Sequence, residues 1–261
     1  MAPVALKPQV YKDPRPKEYF DRFHERSRTR DPSAMYELVH VVTMLHALIS
    51  YRARAIGTEN VPMGPVILAP NHASFMDHFF TAAFIRRRVR FMAKSQMFKP
   101  PFGPVVYSPG GVFPVRRGHH DEEAFITSFQ ILRREGAVVM YCEGGRTRGT
   151  GLAESAKPGI GRLALQTGVP VVPVAILGSD QVRNWKRLQF PRVTVQYGEP
   201  FKFPRVEAPS REDQQETADY IFARIKELYG ELSRVGHHAA LRNARRARRA
   251  QGPAAGGATA P

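Results

Sequence analysis

One cysteine and one tryptophan in 261 residues leave the chain without an internal disulfide, so packing and hydrogen bonding must hold it folded. Long apolar runs are also missing. An uncharged stretch between Glu37 and Arg52 covers fourteen residues, His40 and His46 among them, whereas crossing a bilayer takes roughly 20 apolar residues. That segment is not expected to span a membrane. The first residues carry no apolar signal stretch, and with the lone thiol of Cys142 the expected setting is cytoplasmic. Acids are scarce: 23 Asp and Glu face 39 Lys and Arg, a net charge of +16. The imbalance calls for an anionic partner such as a membrane surface, a phosphate-bearing substrate or nucleic acid. Arg242, Arg245, Arg246, Arg248 and Arg249 crowd the C-terminal end, and the body stays basic without them. A hydrophobic fraction of 43% excludes both a wholly disordered and an integral-membrane chain.

Residues 1–32 are charged and proline-bearing, with a short helix predicted around Tyr19 to Arg26, and read as a surface arm. Leu38, Val41, Val42, Leu45, Leu48 and Ile49 then recur at helical spacing, with Glu37, His40, Thr43 and Ser50 on the other side. This amphipathic helix, within a segment of 33–56, either packs on the domain or lies in a membrane interface flanked by Arg52 and Arg54, and the two can coexist. Over 57–235 short apolar runs alternate with helical patterns, and strands are predicted near 65–69, 89–93, 111–115, 137–142, 171–177 and 192–197. The expected fold class is α/β, a mixed β-sheet flanked by helices with the amphipathic helix at its N-terminal side. Residues 236–261 are rich in Ala, Arg, Gly and Pro and are expected to be a frayed helix and a disordered basic tail.

Chemistry concentrates at three strand ends. The segment Asn71-His72-Ala73-Ser74-Phe75-Met76-Asp77 follows the apolar run ending at Pro70 and precedes a helical pattern. Residues five apart point away from each other in a helix, so His72 and Asp77 meet only if His72 precedes the helix and Asp77 folds back from its first turn. Asp77 would then fix the imidazole tautomer, leaving the second ring nitrogen to act as general base on an alcohol. A capping Asp77 beside a surface His72 is the bland alternative. Gly110-Gly111-Val112-Phe113-Pro114-Val115-Arg116-Arg117 and Cys142-Glu143-Gly144-Gly145-Arg146-Thr147-Arg148 place arginines beside flexible backbone, where guanidinium groups can grip phosphate. Solvated loop arginines are the alternative for each taken alone.

In their order these segments resemble the blocks of the PlsC-like glycerolipid acyltransferases, above all the 1-acyl-glycerol-3-phosphate acyltransferases, across about residues 57–204. The NHxxxxD block is Asn71 to Asp77, the GxxFxxR block Gly110, Phe113 and Arg116, the EGTR block Glu143, Gly144 and Arg146, and the VPV block Val172, Pro173 and Val174. The resemblance implies a glycerolipid acyltransferase-like fold in which His72 takes the proton of a lysophospholipid hydroxyl, Asp77 orients it, and no acyl-enzyme forms. It further implies that Arg116, Glu143 and Arg146 hold the acceptor phosphate, that Gly144 gives clearance, and that Pro173 shapes the strand lining the acyl site. Asn71, Ser74, Gly110, Phe113, Gly145, Thr147 and Lys157 are supporting positions. Acyl-CoA or acyl carrier protein is the implied co-substrate, with no cofactor and no metal, a membrane lipid surface as partner, and no specific nucleic acid. The implied location is peripheral, on the cytoplasmic side of the cell membrane.

Two positions depart from the family pattern: Gly145 stands where Thr is usual and Cys142 where Pro is common. Losing a hydroxyl beside the phosphate changes binding by about 0.5 to 1.5 kcal/mol and leaves room for glycerol 3-phosphate or a glycolipid as acceptor. A basic polyanion-binding protein without catalysis would explain the charge but not the blocks. Cys142 reads as a strand-end thiol, Ser74 as a helix cap, and the run His119, His120, Asp121, Glu122 and Glu123 as a helix start rather than a metal cluster. Arg86, Arg87, Arg88 and Arg90 face either lipid or solvent.

Overall fold

Val66 to Pro70 are buried without exception, and their side chains divide between two cores: Val66 and Leu68 join one, Ile67 and Ala69 the other. Such a run is what a strand covered on both faces requires. The structure, a computed structural model, describes residues 13–116, 121–147, 151–181 and 191–250. Seven strands form one sheet: β1 (Arg54–Ile56), β2 (Val66–Pro70), β3 (Arg90–Lys94), β4 (Val112–Val115), β5 (Ala137–Val139), β6 (Val171–Leu177) and β7 (Thr194–Tyr197). Their order is β1-β7-β6-β2-β5-β3-β4, with β6 and β7 antiparallel and every other pair parallel. The mixed sheet is as expected, with β1 as an addition too short to show a period. β5 stops at Val139 instead of 142 because the chain turns away there to build the site.

Helices α1 (Glu18–Thr29), α2 (Ala34–Ser50), α3 (Asp77–Ala83), α4 (Glu122–Arg133), α5 (Gly159–Thr167) and α6 (Arg211–Ala250) complete the fold. Residues of α2 and α3 contribute to one core, and α4, α5 and α6 contribute to the other. α5 ends at Gly168, whose left-handed φ of 63° closes the helix. α6 begins at Ser210, which exchanges hydrogen bonds with Asp213 in a capping box, and is broken at Gly236 (φ 73°).

The region read as a surface arm is corrected over its described part. Phe20, Phe23, His24 and Ser27 of α1 are buried, His24 Nδ1 lies 2.9 Å from Thr127 Oγ1 of α4, and Arg15 donates to the carbonyls of Ser95 and Phe98. The charged positions of α1 masked an aromatic stripe at helical spacing. Of the arginines after α3, Arg86 is exposed while the other three bind neighbouring segments. Arg88 pairs with Glu37, Arg90 donates to the Arg30 carbonyl and Asp31, and Arg87 donates to the carbonyls of Pro62, Gly64 and Glu135. Residues 236–250 continue as helix after the break, while 251–261 lie outside the described residues.

α2 is amphipathic in the opposite sense to a core helix. Tyr36 and Ala47 are buried and His40 reaches the Ala83 carbonyl of α3, whereas Leu38, Val41, Val42, Leu45 and Ile49 face outward, Leu38 at 59% and Ile49 at 76% exposure. Among the described residues no single helix is long and apolar enough to cross a membrane.

Candidate active site

Parallel strands carry their C-terminal ends to one edge of the sheet, which is where such folds assemble sites. Here that edge receives residues 71–77 after β2, 140–147 after β5 and Arg116 after β4. Asn71 sets the aim of the first segment. Its amide donates to the Ile176 carbonyl (3.2 Å) and accepts from the Ile176 N–H (2.7 Å), so β2 is pinned beside β6 one residue past its last ladder pair. The chain then leaves the sheet at His72.

His72 Nδ1 lies 3.0 Å from Asp77 Oδ2, as the spacing argument required, with His72 ahead of the helix and Asp77 its first residue. The same carboxylate oxygen accepts the backbone N–H groups of Ala73 (2.8 Å) and Ser74 (2.7 Å). Asp77 is thus both the cap of the bland reading and the partner of the imidazole. Its fully buried carboxylate fixes the tautomer with the proton on Nδ1, which puts the basic lone pair on Nε2 at the far edge of the ring. Ser74 caps the turn, its Oγ accepting from the Met76 N–H at 3.2 Å.

The Glu143 to Thr147 block turns out to be a clasp on His72. Glu143 Oε2 accepts the His72 N–H at 2.7 Å, Oε1 accepts the Ala153 N–H at 3.1 Å, and Thr147 donates its N–H (2.8 Å) and hydroxyl (3.3 Å) to the His72 carbonyl. Glu143 is fully buried, and burial raises its carboxyl from the ordinary 4.5 to about 7 against the pull of those two amides. The expectation that Glu143 holds the acceptor phosphate is therefore corrected: both of its oxygens are committed to backbone. Gly144 gives clearance to Lys157, whose Cγ would lie 2.8 Å from a Cβ there; its φ is 65°. Lys157 in turn donates its N–H to the Cys142 carbonyl. Gly145 is buried and Arg146 half-buried, with Arg146 near enough to His78 to oppose its protonation. The Cys142 thiol is buried and pushed well above its ordinary value by that burial, the reverse of an activated nucleophile.

Tyr141 was not foreseen. Its ring stacks on His72 with centroids 4.0 Å apart and an interplanar angle of 25°, and His78 abuts the His72 ring edge-on at 5.2 Å. Burial lowers His78 to about 3, so it is neutral at any working pH. Only the position of Tyr141 before the block could have hinted at this role.

The remaining positions divide between scaffold and rim. Gly110 is needed because a Cβ would lie 2.7 Å from the Val106 carbonyl oxygen, and Phe113 is fully buried beside His24; together they deliver Arg116. The Arg116 N–H donates to Asp121 Oδ2 at 2.6 Å and its guanidinium lies 5.9 Å from the Phe20 ring. Glu122 pairs with Arg162, and Glu123 with Lys17 and Arg28. The rest of that run, His119 and His120, lies outside the described residues, as do Arg117 and Arg148. No group of three or more potential metal ligands occurs among the described residues. Pro173 sits within β6 opposite Ala69, its ring over Gly198, and is not among the described residues that line the apolar cavity. That cavity opens beside His78 between α2, α3 and the β3–β4 flank, walled by Tyr36, Val39, Phe79, Phe91 and Val112.

Comparison with known proteins agrees with this layout. A family model described as Acyltransferase matches residues 52–177. A chloroplastic 1-acyl-sn-glycerol-3-phosphate acyltransferase of Arabidopsis thaliana is 28% identical over 151 residues, 55% of this chain and 42% of that protein. A 1-acyl-sn-glycerol-3-phosphate acyltransferase of Salmonella typhimurium is 26% identical over 176 residues, 66% of this chain and 69% of the relative. The chain thus spans less than half the length of the plant relative. The crystal structure of the 1-acyl-sn-glycerophosphate acyltransferase PlsC from Thermotoga maritima superposes with a TM-score of 0.59 at 23% identity, covering 83% of this chain and 89% of that one, a likeness of fold. In its ordered blocks, in the family match over residues 52–177 and in the sheet that brings the blocks to one edge, the chain is similar to the PlsC-like glycerolipid acyltransferases.

Proposed function

We propose that the protein is an O-acyltransferase that moves a fatty acyl group from an acyl thioester to the free hydroxyl of 1-acyl-glycerol-3-phosphate, giving phosphatidic acid in phospholipid biosynthesis. The observation that carries this reading is the buried His72–Asp77 pair, held at 3.0 Å with its tautomer fixed. The acceptor hydroxyl gives its proton to His72 Nε2 while its oxygen attacks the thioester carbonyl carbon. Collapse of the tetrahedral intermediate breaks the carbon–sulfur bond, and the thiolate takes the proton back from the imidazolium that Asp77 has stabilised. No side chain is acylated. Relatives named for this activity support the choice of acceptor.

Arg146 and Arg116 are the cations at the sheet edge suited to the acceptor phosphate, and the apolar cavity beside His78 is suited to an acyl chain. The outward apolar face of α2 supports a peripheral position on a lipid surface, on the cytoplasmic leaflet, where a single-chain lipid need not cross water. An acceptor panel in lipid vesicles tests the assignment: lysophosphatidic acid, glycerol 3-phosphate, lysophosphatidylcholine and a glycolipid, each with acyl-CoA. Lysophosphatidic acid is expected to give kcat/KM at least about tenfold above the others, over lysophosphatidylcholine and the glycolipid by one charge-assisted contact and over glycerol 3-phosphate by burial of its acyl chain. A higher value for any other acceptor would overturn it.

A further inference from the structure

His72 sits near the middle of the sheet edge, with Arg116 three strands away on the β4 side. The opposite flank holds a second cationic concavity, a cleft lined by Arg52, Arg54, Arg192, His238, Arg242 and Arg245, with no carboxylate among the described residues of its wall. Its parts converge for reasons of topology. Because β7 runs antiparallel to β6, the start of β7 lies beside the end of β6; because β1 is parallel to β7, Arg54 lies beside Thr194. Past the break at Gly236, α6 is fastened over these strand starts by contacts of His237 Nδ1 with Thr194 Oγ1 (2.7 Å) and of His238 Nε2 with Arg192 (2.8 Å).

Like charges gathered in a concave wall repel unless an anion lies among them. Among the described residues no ion pair engages Arg54, Arg192, Arg242 or Arg245. His237 is held below its ordinary value by burial and by the charge of Arg192, which agrees with a positive potential there. Guanidinium groups in such an array match phosphate groups. The cleft is also at a telling distance. From β2 to β1 the order passes through β6 and β7, three inter-strand steps, or roughly 14 to 15 Å. The pantetheine arm of coenzyme A, an amide chain about as long as four to five residues, reaches roughly 15 Å from sulfur to its first phosphorus. A thioester at His72 would therefore bring its phosphates to this cleft, while the acceptor phosphate uses the Arg146 and Arg116 side.

We propose that the cleft between the starts of β1 and β7 and the end of α6 binds the phosphate-rich end of a coenzyme A donor. The inference rests on the acyltransferase reading above and adds a donor site on the flank opposite the acceptor phosphate. It is tested by a donor series in neutral phosphatidylcholine vesicles at saturating acceptor, comparing acyl-CoA with the same acyl group on pantetheine, which carries no phosphate. Arg242→Gln/Arg245→Gln is expected to lower the ratio of kcat/KM for acyl-CoA to that for acyl-pantetheine at least tenfold, one charge-assisted phosphate contact being worth about that factor. Arg248→Gln/Arg249→Gln, the same loss of charge outside the cleft, is expected to keep the wild-type ratio. Equal losses with both donors, no change in either, or a marked preference for acyl carrier protein over coenzyme A would overturn the proposal. Calorimetry with free coenzyme A and no acceptor separates it from the function itself. Binding that the double substitution weakens at least tenfold supports the site even if no acyl transfer occurs, and failure of the wild type to bind overturns the site even if transfer proceeds.

Discussion

Asp77 Oδ2 takes one side-chain and two backbone hydrogen bonds, so it shapes the turn and polarises the base at once. Asp77→Asn keeps an oxygen for the two amides but removes the charge that stabilises an imidazolium, and kcat is expected to fall at least about 100-fold while circular dichroism is retained. Steady-state rates on matched, folded preparations check this. Glu143 carries a different signature. Its folded carboxyl titrates at about 7 against 4.5 when exposed, so between those values the folded state holds a proton that the unfolded state has released, and stability falls as pH rises through the window. Measured as unfolding midpoints from pH 4.5 to 7, wild type should lose ground steadily to Glu143→Gln, and a constant difference would contradict the burial argument. His72 and Asp77 were legible in the sequence because their spacing at a strand end admits a geometry in which they meet and because the four ordered blocks resemble those of the PlsC-like family; the spacing alone fitted a capping Asp77 as well. The work of Glu143 was not, because its partners are backbone N–H groups, which no residue type announces, and Tyr141 stacks on a ring that only the fold brings near it.

At the scale of elements, α2 shows what periodicity can and cannot say. The spacing from Leu38 to Ile49 established a helix with two faces, but a stripe does not state which side turns inward. Here His40 and Thr43 look toward the body and the aliphatic stripe looks out. Leu38→Gln/Leu45→Gln should therefore weaken binding to lipid vesicles at least about tenfold, since each buried aliphatic side chain is worth about 1.5 to 3 kcal/mol of transfer. The same change should leave the thermal midpoint within about 2 °C, because neither side chain packs on the core. Cosedimentation and calorimetry check the two halves, and a large fall in the midpoint with vesicle binding intact would contradict the outward reading. The burial of α1 went unread for a related reason: Glu18, Asp21, Arg22, Glu25 and Arg26 dominate the eye, while Phe20 and Phe23 do the packing. β1 was missed because three residues cannot display alternation.

At the scale of the whole molecule, the sheet order converts sequence blocks scattered from 71 to 147 into neighbours. β2 and β5 are adjacent, so the His72 turn and the Glu143 clasp meet, and Arg116 arrives two further strands along through β3 and β4. The alternating pattern told of an α/β sheet, yet the order of strands, and with it the placing of cations on both flanks of His72, is a property of long-range pairing that a run of residues does not encode. The central claim is that this edge performs acyl transfer with His72 as general base. Its most direct test is transfer from acyl-CoA to lysophosphatidic acid in vesicles by the wild type and by His72→Ala, both shown to be folded and vesicle-bound. The account predicts phosphatidic acid from the wild type and a rate at least about 100-fold lower from the variant; equal rates from the two proteins would contradict it.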